Sequence, residues 1–248
     1  MRRADPIASP TLWVAVLFVA LLFGMPQLAP LFQWSFPGVT PPVFERGSFF
    51  ALWLSQAGLV LVAGGAATLI GIALAIFVTR PAGRDFRALV STLAAVGQTF
   101  PPAAVLALAV PVLGFGPRPT IVALFLYGLL PIIENAVAGL EGVPAATREA
   151  ARGMGLSPWQ LLRDVDLPLA APVILAGVRV SVTIAIGTAT IGSTVGALTL
   201  GTPIFDGLAG NKLPFVIQGA VLVALFAILT DMLFARLERW LQPPGTPA

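Results

Sequence analysis

Apolar residues run through this chain in stretches too long for a soluble core, and charge returns only in short clusters between them. Charge-free runs cover 6–44, 48–79, 88–117, 180–205 and 213–230, and most hold the roughly 20 residues that a helix needs to cross a bilayer. A shorter run, 119–133, continues past Glu134 to Leu140. The pattern predicts six spanning helices, near 11–32, 51–79, 89–115, 119–140, 169–198 and 214–236, and so an all-α membrane protein. With 57% apolar and 10% charged residues in 248, composition agrees with a polytopic chain.

The net charge of +3 raises the question of an acidic partner, and the positions of the basic residues answer it. With the N-terminus inside, Arg2, Arg3, Arg80, Arg84, Arg87, Arg148, Arg152, Arg163, Arg236 and Arg239 all fall on cytoplasmic segments. Only Arg46, Arg118 and Lys212 fall outside, and Arg179 lies within a span. That excess obeys the positive-inside rule, so the basicity records orientation and needs no nucleic-acid surface. Both termini are expected in the cytoplasm. Trp34 and Trp53 are expected at the outer ends of the first two spans, and Trp13 and Trp240 at the inner face. Met-Arg-Arg before an apolar run also fits a signal peptide, but no small-x-small cleavage site follows, which favours a retained first helix.

The chain has no Cys and no His, which excludes disulfides, thiol chemistry, Cys/His metal sites and His-based triads. Its one lysine, Lys212, sits in Asn-Lys-Leu-Pro, so no G-x-x-x-x-G-K-[ST] phosphate loop exists. Any ATP used must be bound by another chain. No paired carboxylate, Ser or Tyr constellation has the spacing of an active site.

One charged stretch between spans is built differently. Pro144 opens a short helix that carries Glu149 in its early turns, where a carboxylate favours the positive end of the dipole. Gly155 ends it by supplying a left-handed residue. Ser157-Pro158-Trp159-Gln160 then reads as a capping box with proline at the first helical position. A helical wheel puts Trp159, Leu161, Leu162 and Val165 on one side, and Gln160, Arg163 and Asp164 on the other. Over 157–166 that helix is about 15 Å long, too short to cross a bilayer; Pro168 is expected to stop it and Pro172 to enter the next span. Two readings follow: an amphipathic helix resting on lipid, or a docking element for a soluble partner, which the glycine hinge between two capped helices favours.

Glu149-Ala150-Ala151, three residues, Gly155, nine residues, then Val165-x-Leu167-Pro168 resembles the EAA motif of bacterial ABC importer permeases, with Val165 where isoleucine is usual. The resemblance extends over about 97–208. GQTFPP (97–102), LFLYGLLPIIEN (124–135), LPLAAPVILAGVR (167–179) and IGTATIGSTVGA (186–197) are similar to permeases of the osmoprotectant family, which take up glycine betaine, carnitine and choline. The stretch Val195-Gly196-Ala197-Leu198-Thr199-Leu200-Gly201 is less glycine-rich than the family's.

The resemblance implies a MetI-like permease fold, one transmembrane domain over 1–248 with its core near 50–240, and an EAA coupling loop at 144–168, in the bacterial inner membrane. It implies two ATPase subunits that use ATP and Mg, a second permease copy, identical or a paralogue, and an extracytoplasmic substrate-binding protein. Glu149, Ala150, Ala151, Gly155, Ser157, Trp159, Val165, Leu167 and Pro168 inherit the docking role. The chain itself is expected to bind no cofactor or metal and to be no enzyme.

For the translocation pathway the candidates are Gln98, Thr99, Pro101, Asn135, Thr188 and Ser193. Gln98-Thr99-Phe100-Pro101-Pro102 interrupts the third span, either as a kink or as a broken helix beside the path. Small residues at Gly187, Gly192, Ser193 and Gly196, and at Gly58, Gly64, Gly65 and Gly71, suit close helix packing or a pore lining. Glu134, Arg179 and Asp231 are intramembrane charges, either functional or paired and snorkelling. An importer of another small solute such as an amino acid, a passive channel and a membrane enzyme remain rival readings.

Overall fold

A computed structural model describes residues 10–241, so Arg2 and Arg3 lie outside the described residues. The described residues form helices and no strands: α1 (Pro10–Gly24), a 3-10 turn (Met25–Leu28), α2 (Ala29–Ser35), α3 (Phe49–Thr79), α4 (Arg87–Thr99), α5 (Pro102–Leu113), α6 (Pro117–Glu141), α7 (Ala145–Gly153), α8 (Pro158–Leu161), a π-turn (Leu162–Asp166), α9 (Leu167–Ala189), a 3-10 turn (Thr190–Val195), α10 (Gly201–Ala209) and α11 (Leu213–Leu241). Five are long and apolar enough to cross a membrane, or six if the pair broken after Thr99 counts as one.

The expected spans differ from these in three places. The third, expected over 89–115, is two helices. Phe100 and Pro101 take extended dihedrals, with ψ 137° and 139°. Prolines at 101 and 102 also remove the N–H groups that the carbonyls of Gly97 and Gln98 need, so the helix has to restart. The fifth span begins at Pro158, well before 169, and its helical backbone continues through Val195. Pro168 therefore does not stop a helix; it stands at the second position of α9, and the π-turn before it absorbs its missing N–H. Pro172 likewise lies inside α9. The last span runs on to Leu241.

Two compact units divide the chain. The first draws on residues up to Ala63, Pro101–Leu124 and Thr183–Leu233. Its core joins Phe18, Leu22 and Met25 with Phe44, Phe49, Leu52, Leu200, Phe215 and Leu222. Trp53, expected at an interface, instead packs edge-on to Phe18 and Phe226. Two buried glutamines pin irregular backbone. Gln56 donates to the Ile186 carbonyl at 2.9 Å, near where α9 tightens into a 3-10 turn, and accepts from the Leu200 N–H at 2.9 Å. Gln218 accepts from the Phe44 N–H at 3.0 Å and donates to the Pro42 carbonyl at 2.8 Å. Both side chains are buried and their bonds are long-range, and a buried polar group left without a partner is costly.

The second unit comprises Gly64–Phe100, Phe125–Val182 and residues from Phe234 on. Here α3, α6 and α9 pack with small residues at their closest points. A Cβ at Gly177 meets the Pro131 carbonyl at 2.7 Å, one at Gly71 meets Ile132 at 2.8 Å, and one at Gly128 meets the Ser181 hydroxyl at 2.5 Å. Close backbone approach is how helices associate in lipid, where burial of apolar surface offers no driving force. The glycines expected to pack do so selectively: Gly71 here and Gly192, against Thr120 in the first unit, sit at contacts, whereas Gly58, Gly65 and Gly187 face open space.

Candidate functional site

Segment 144–168 lies in the second unit. Its first helix, α7, is preceded by Pro144 at the cap and ends in a left-handed Gly155 at φ +86°. Two bonds close that end: Gly155 N–H donates to the Arg152 carbonyl at 2.9 Å, and Leu156 N–H to the Ala151 carbonyl at 3.2 Å. This is a Schellman closure, and the positive φ is why glycine stands there. The capping box follows as read: Ser157 Oγ accepts from the Gln160 N–H at 3.3 Å, and Gln160 Oε1 accepts from the Ser157 N–H at 2.8 Å.

Glu149 is the fifth of nine residues in α7, in its second turn, and exposed. Other placements depart from the reading of the residues. Ala150 is exposed beside Glu149, but Ala151 turns inward and is buried. Trp159 is 67% exposed, whereas Leu161 and Leu162 are buried and Val165 is half-buried. Trp159 stands two positions before Leu161 in α8, about 160° around a regular helix, so it faces away from that buried leucine. Leu167 packs partly buried against the unit's core, and Pro168 is exposed. The result is one continuous rod from Pro158 into α9, with α7 hinged in front of it.

The residue that ties this segment down is Asp166, unremarked in the motif. Its side chain is fully buried; Oδ2 accepts from Arg80 at 2.7 Å and Oδ1 from Arg148 at 2.8 Å. Arg148 also donates to the Leu140 carbonyl. One carboxylate thus joins the end of α3, the end of α6, the start of α7 and the π-turn. A second ion pair, Arg179 to Glu238 at 3.0 Å, links α9 to α11 and accounts for one of the intramembrane charges.

Of the pathway candidates, Gln98, Thr99 and Asn135 fall in the second unit, and Pro101, Thr188 and Ser193 in the first. Four of them donate to backbone carbonyls: Gln98 to Tyr127 at 2.6 Å, Thr99 to Val96 at 2.8 Å, Asn135 to Pro131 at 2.8 Å and Ser193 to Thr190 at 2.8 Å. Pro101 caps α5, and Thr188 is half-buried on α9.

Residues 67–243 match the family described as binding-protein-dependent transport system inner membrane component. The chain is 44% identical over 218 residues to the osmoprotectant import permease protein OsmY of Salmonella typhimurium, covering 87% of this chain and 91% of that one. It is 46% identical over 148 residues to the choline transport system permease protein OpuBB of Bacillus subtilis, covering 60% and 68%. The MetNI methionine ABC transporter, in an inward-facing conformation, superposes with a TM-score of 0.69 at 24% identity over 77% of this chain and 94% of that one. This last likeness bears on fold alone. A helical chain with five to six candidate spans, matched over most of its length, belongs to the binding-protein-dependent transport inner-membrane family: it is a membrane permease subunit that works with an ATPase and a substrate-binding protein.

Proposed function

We propose that this permease imports osmoprotectants of the quaternary-amine type, such as glycine betaine, choline or carnitine. The observation that carries the reading is its likeness, along nearly the whole chain, to permeases of that uptake class. In this reading two ATPase subunits bind ATP and Mg, and two permease copies, identical or paralogous, form the path. Segment 144–168 faces the cytoplasm, as the clustering of arginines there favours.

Docking follows from the segment's construction. Glu149, Ala150, Met154 and Trp159 present an exposed surface, while Gly155 and the capping box hold the angle between α7 and α8. Val165, Leu167 and Pro168 belong to the same helical rod as α9, so a push on α8 from a closing ATPase acts on a spanning helix directly, and one on α7 reaches it through the closed turn at Gly155. Buried Asp166 keeps the ends of α3 and α6 in step with it. The broken backbone at 99–102, where two prolines withhold their N–H groups, is the proposed element beside the path; Thr188, near the end of α9, and Ser193, on the 3-10 turn after it, are further candidates.

The test is uptake of labelled glycine betaine, choline, carnitine and unrelated amino acids into proteoliposomes holding permease, ATPase and binding protein. ATP-dependent uptake of quaternary amines alone is expected. Uptake confined to amino acids would discard the substrate assignment and keep the permease.

A further inference from the structure

The far ends of α3 and α6 in the second unit leave a polar cavity of about 240 Å³, lined by Thr79, Arg80, Arg84, Glu141, Arg148 and Arg152 among others. Four guanidiniums meet there. Arg80 and Arg148 share the single charge of Asp166, and Glu141 is bonded by Arg87 at 2.5 Å. Arg84 and Arg152 have no ion pair among the described residues. The cluster therefore carries about three uncompensated positive charges. The cavity has room for about eight waters at about 30 Å³ each, enough for one phosphate group with part of its hydration.

Two further observations say what fills it. Thr79 and Glu141 are the last residues of two spanning helices, so the cavity sits where hydrocarbon gives way to headgroups. The wall carrying Arg84 is also built rather than loose. A Cβ at Gly83 lies 2.2 Å from the Phe77 carbonyl oxygen, so only glycine lets the chain fold back there. Turn bonds from Arg80 to Phe77, Gly83 to Arg80 and Phe86 to Gly83 hold the fold. Phe77 and Phe86, both exposed, pair beside it with centroids 5.9 Å apart and offer an apolar flank. Guanidiniums match phosphate oxygens with paired donors, and basic pockets at span ends are where acidic lipid headgroups bind.

We propose that this arginine-lined cavity binds the phosphate of an anionic phospholipid, with Arg84 and Arg152 as the principal donors. The proposal stands on the cavity alone and is independent of the substrate reading.

The experiment uses the whole transporter in phosphatidylcholine nanodiscs containing a photoreactive phosphatidylglycerol, with adducts mapped by mass spectrometry. Labelling is expected within 79–87 and 140–152. It is expected to fall roughly 25-fold in the Arg84→Gln, Arg152→Gln double variant, at roughly fivefold per arginine. Arg84→Lys should keep most of the labelling, which separates lost charge from lost folding. Unlabelled phosphatidylglycerol should compete and inorganic phosphate at millimolar levels should not. Equal labelling of the double variant would overturn the proposal. So would full competition by inorganic phosphate, which assigns the site to a free anion, or labelling that appears only once the ATPase is removed, which assigns it to the protein partner.

Discussion

The side-chain amide of Gln98 donates to the backbone carbonyl of Tyr127 at 2.6 Å. That carbonyl is the one that residue 131 bonds in an unbroken helix, and residue 131 is proline. Gln98 on α4 thus supplies to α6 the donor that Pro131 withholds. Gln98→Leu should lower stability by about 1 kcal/mol, toward the upper part of the range for side-chain bonds in lipid. In a Pro131→Ala background, where the helical N–H returns, the same change should cost much less. A double-mutant cycle on thermal unfolding measures the coupling; additive effects would show that the two residues act separately.

Asp166 holds two guanidiniums from two different segments while itself out of solvent. Asp166→Asn removes the charge but keeps the shape, leaving Arg80 and Arg148 facing each other. Breaking a buried pair costs about 3–5 kcal/mol, and the partial exposure of both arginines lowers this to about 2–3 kcal/mol. Thermal unfolding of the purified variant should show that loss. Uptake should fall even at temperatures where the variant stays folded, because α7 loses its tie to the span ends.

Gly155 at φ +86° tolerates no ordinary side chain without strain of roughly 1–2 kcal/mol. Gly155→Ala should therefore weaken uptake, and Gly155→Glu, which also sets a charge on the exposed hinge, should abolish it while membrane insertion survives. Normal uptake by Gly155→Glu would remove the docking role from this hinge. Ser157→Ala should cost about 1 kcal/mol by opening the capping box, with a smaller loss of uptake.

Gln56 closes two buried backbone groups, the Ile186 carbonyl and the Leu200 N–H. Gln56→Leu fits the space but satisfies neither, and should lower the unfolding temperature by more than Gln98→Leu, which orphans one group. Equal shifts would mean that other donors move in.

Much of this architecture is legible in the residues because lipid demands it. Long charge-free runs mark most of the spans, and Gly155 and Ser157-Pro158-Trp159-Gln160 announce their local geometry, since caps and left-handed turns depend on neighbours a few positions away. What stayed hidden depends on distant partners. Asp166 reads as an ordinary charge until Arg80, 86 positions earlier, is found on its Oδ2. Arg179 finds Glu238 59 residues later. Pro168 misled for a different reason: a proline after a short amphipathic stretch reads as a stop, yet a π-turn lets the helix pass. Trp159 reads with the leucines because it is apolar, yet two positions from Leu161 it faces nearly the opposite side of the helix and is exposed.

The central claim is that α7 and α8 dock the ATPase and drive α9. Because the chain has no Cys, single cysteines can be placed without a background. The most direct measurement is site-specific cross-linking of Ala150→Cys and Trp159→Cys to the ATPase in the assembled, transport-competent complex, with and without nucleotide. The account predicts cross-links at both positions with yields that change on ATP binding, and none from a buried control such as Ala151→Cys. A complex in which the ATPase co-purifies but neither exposed position cross-links would contradict it.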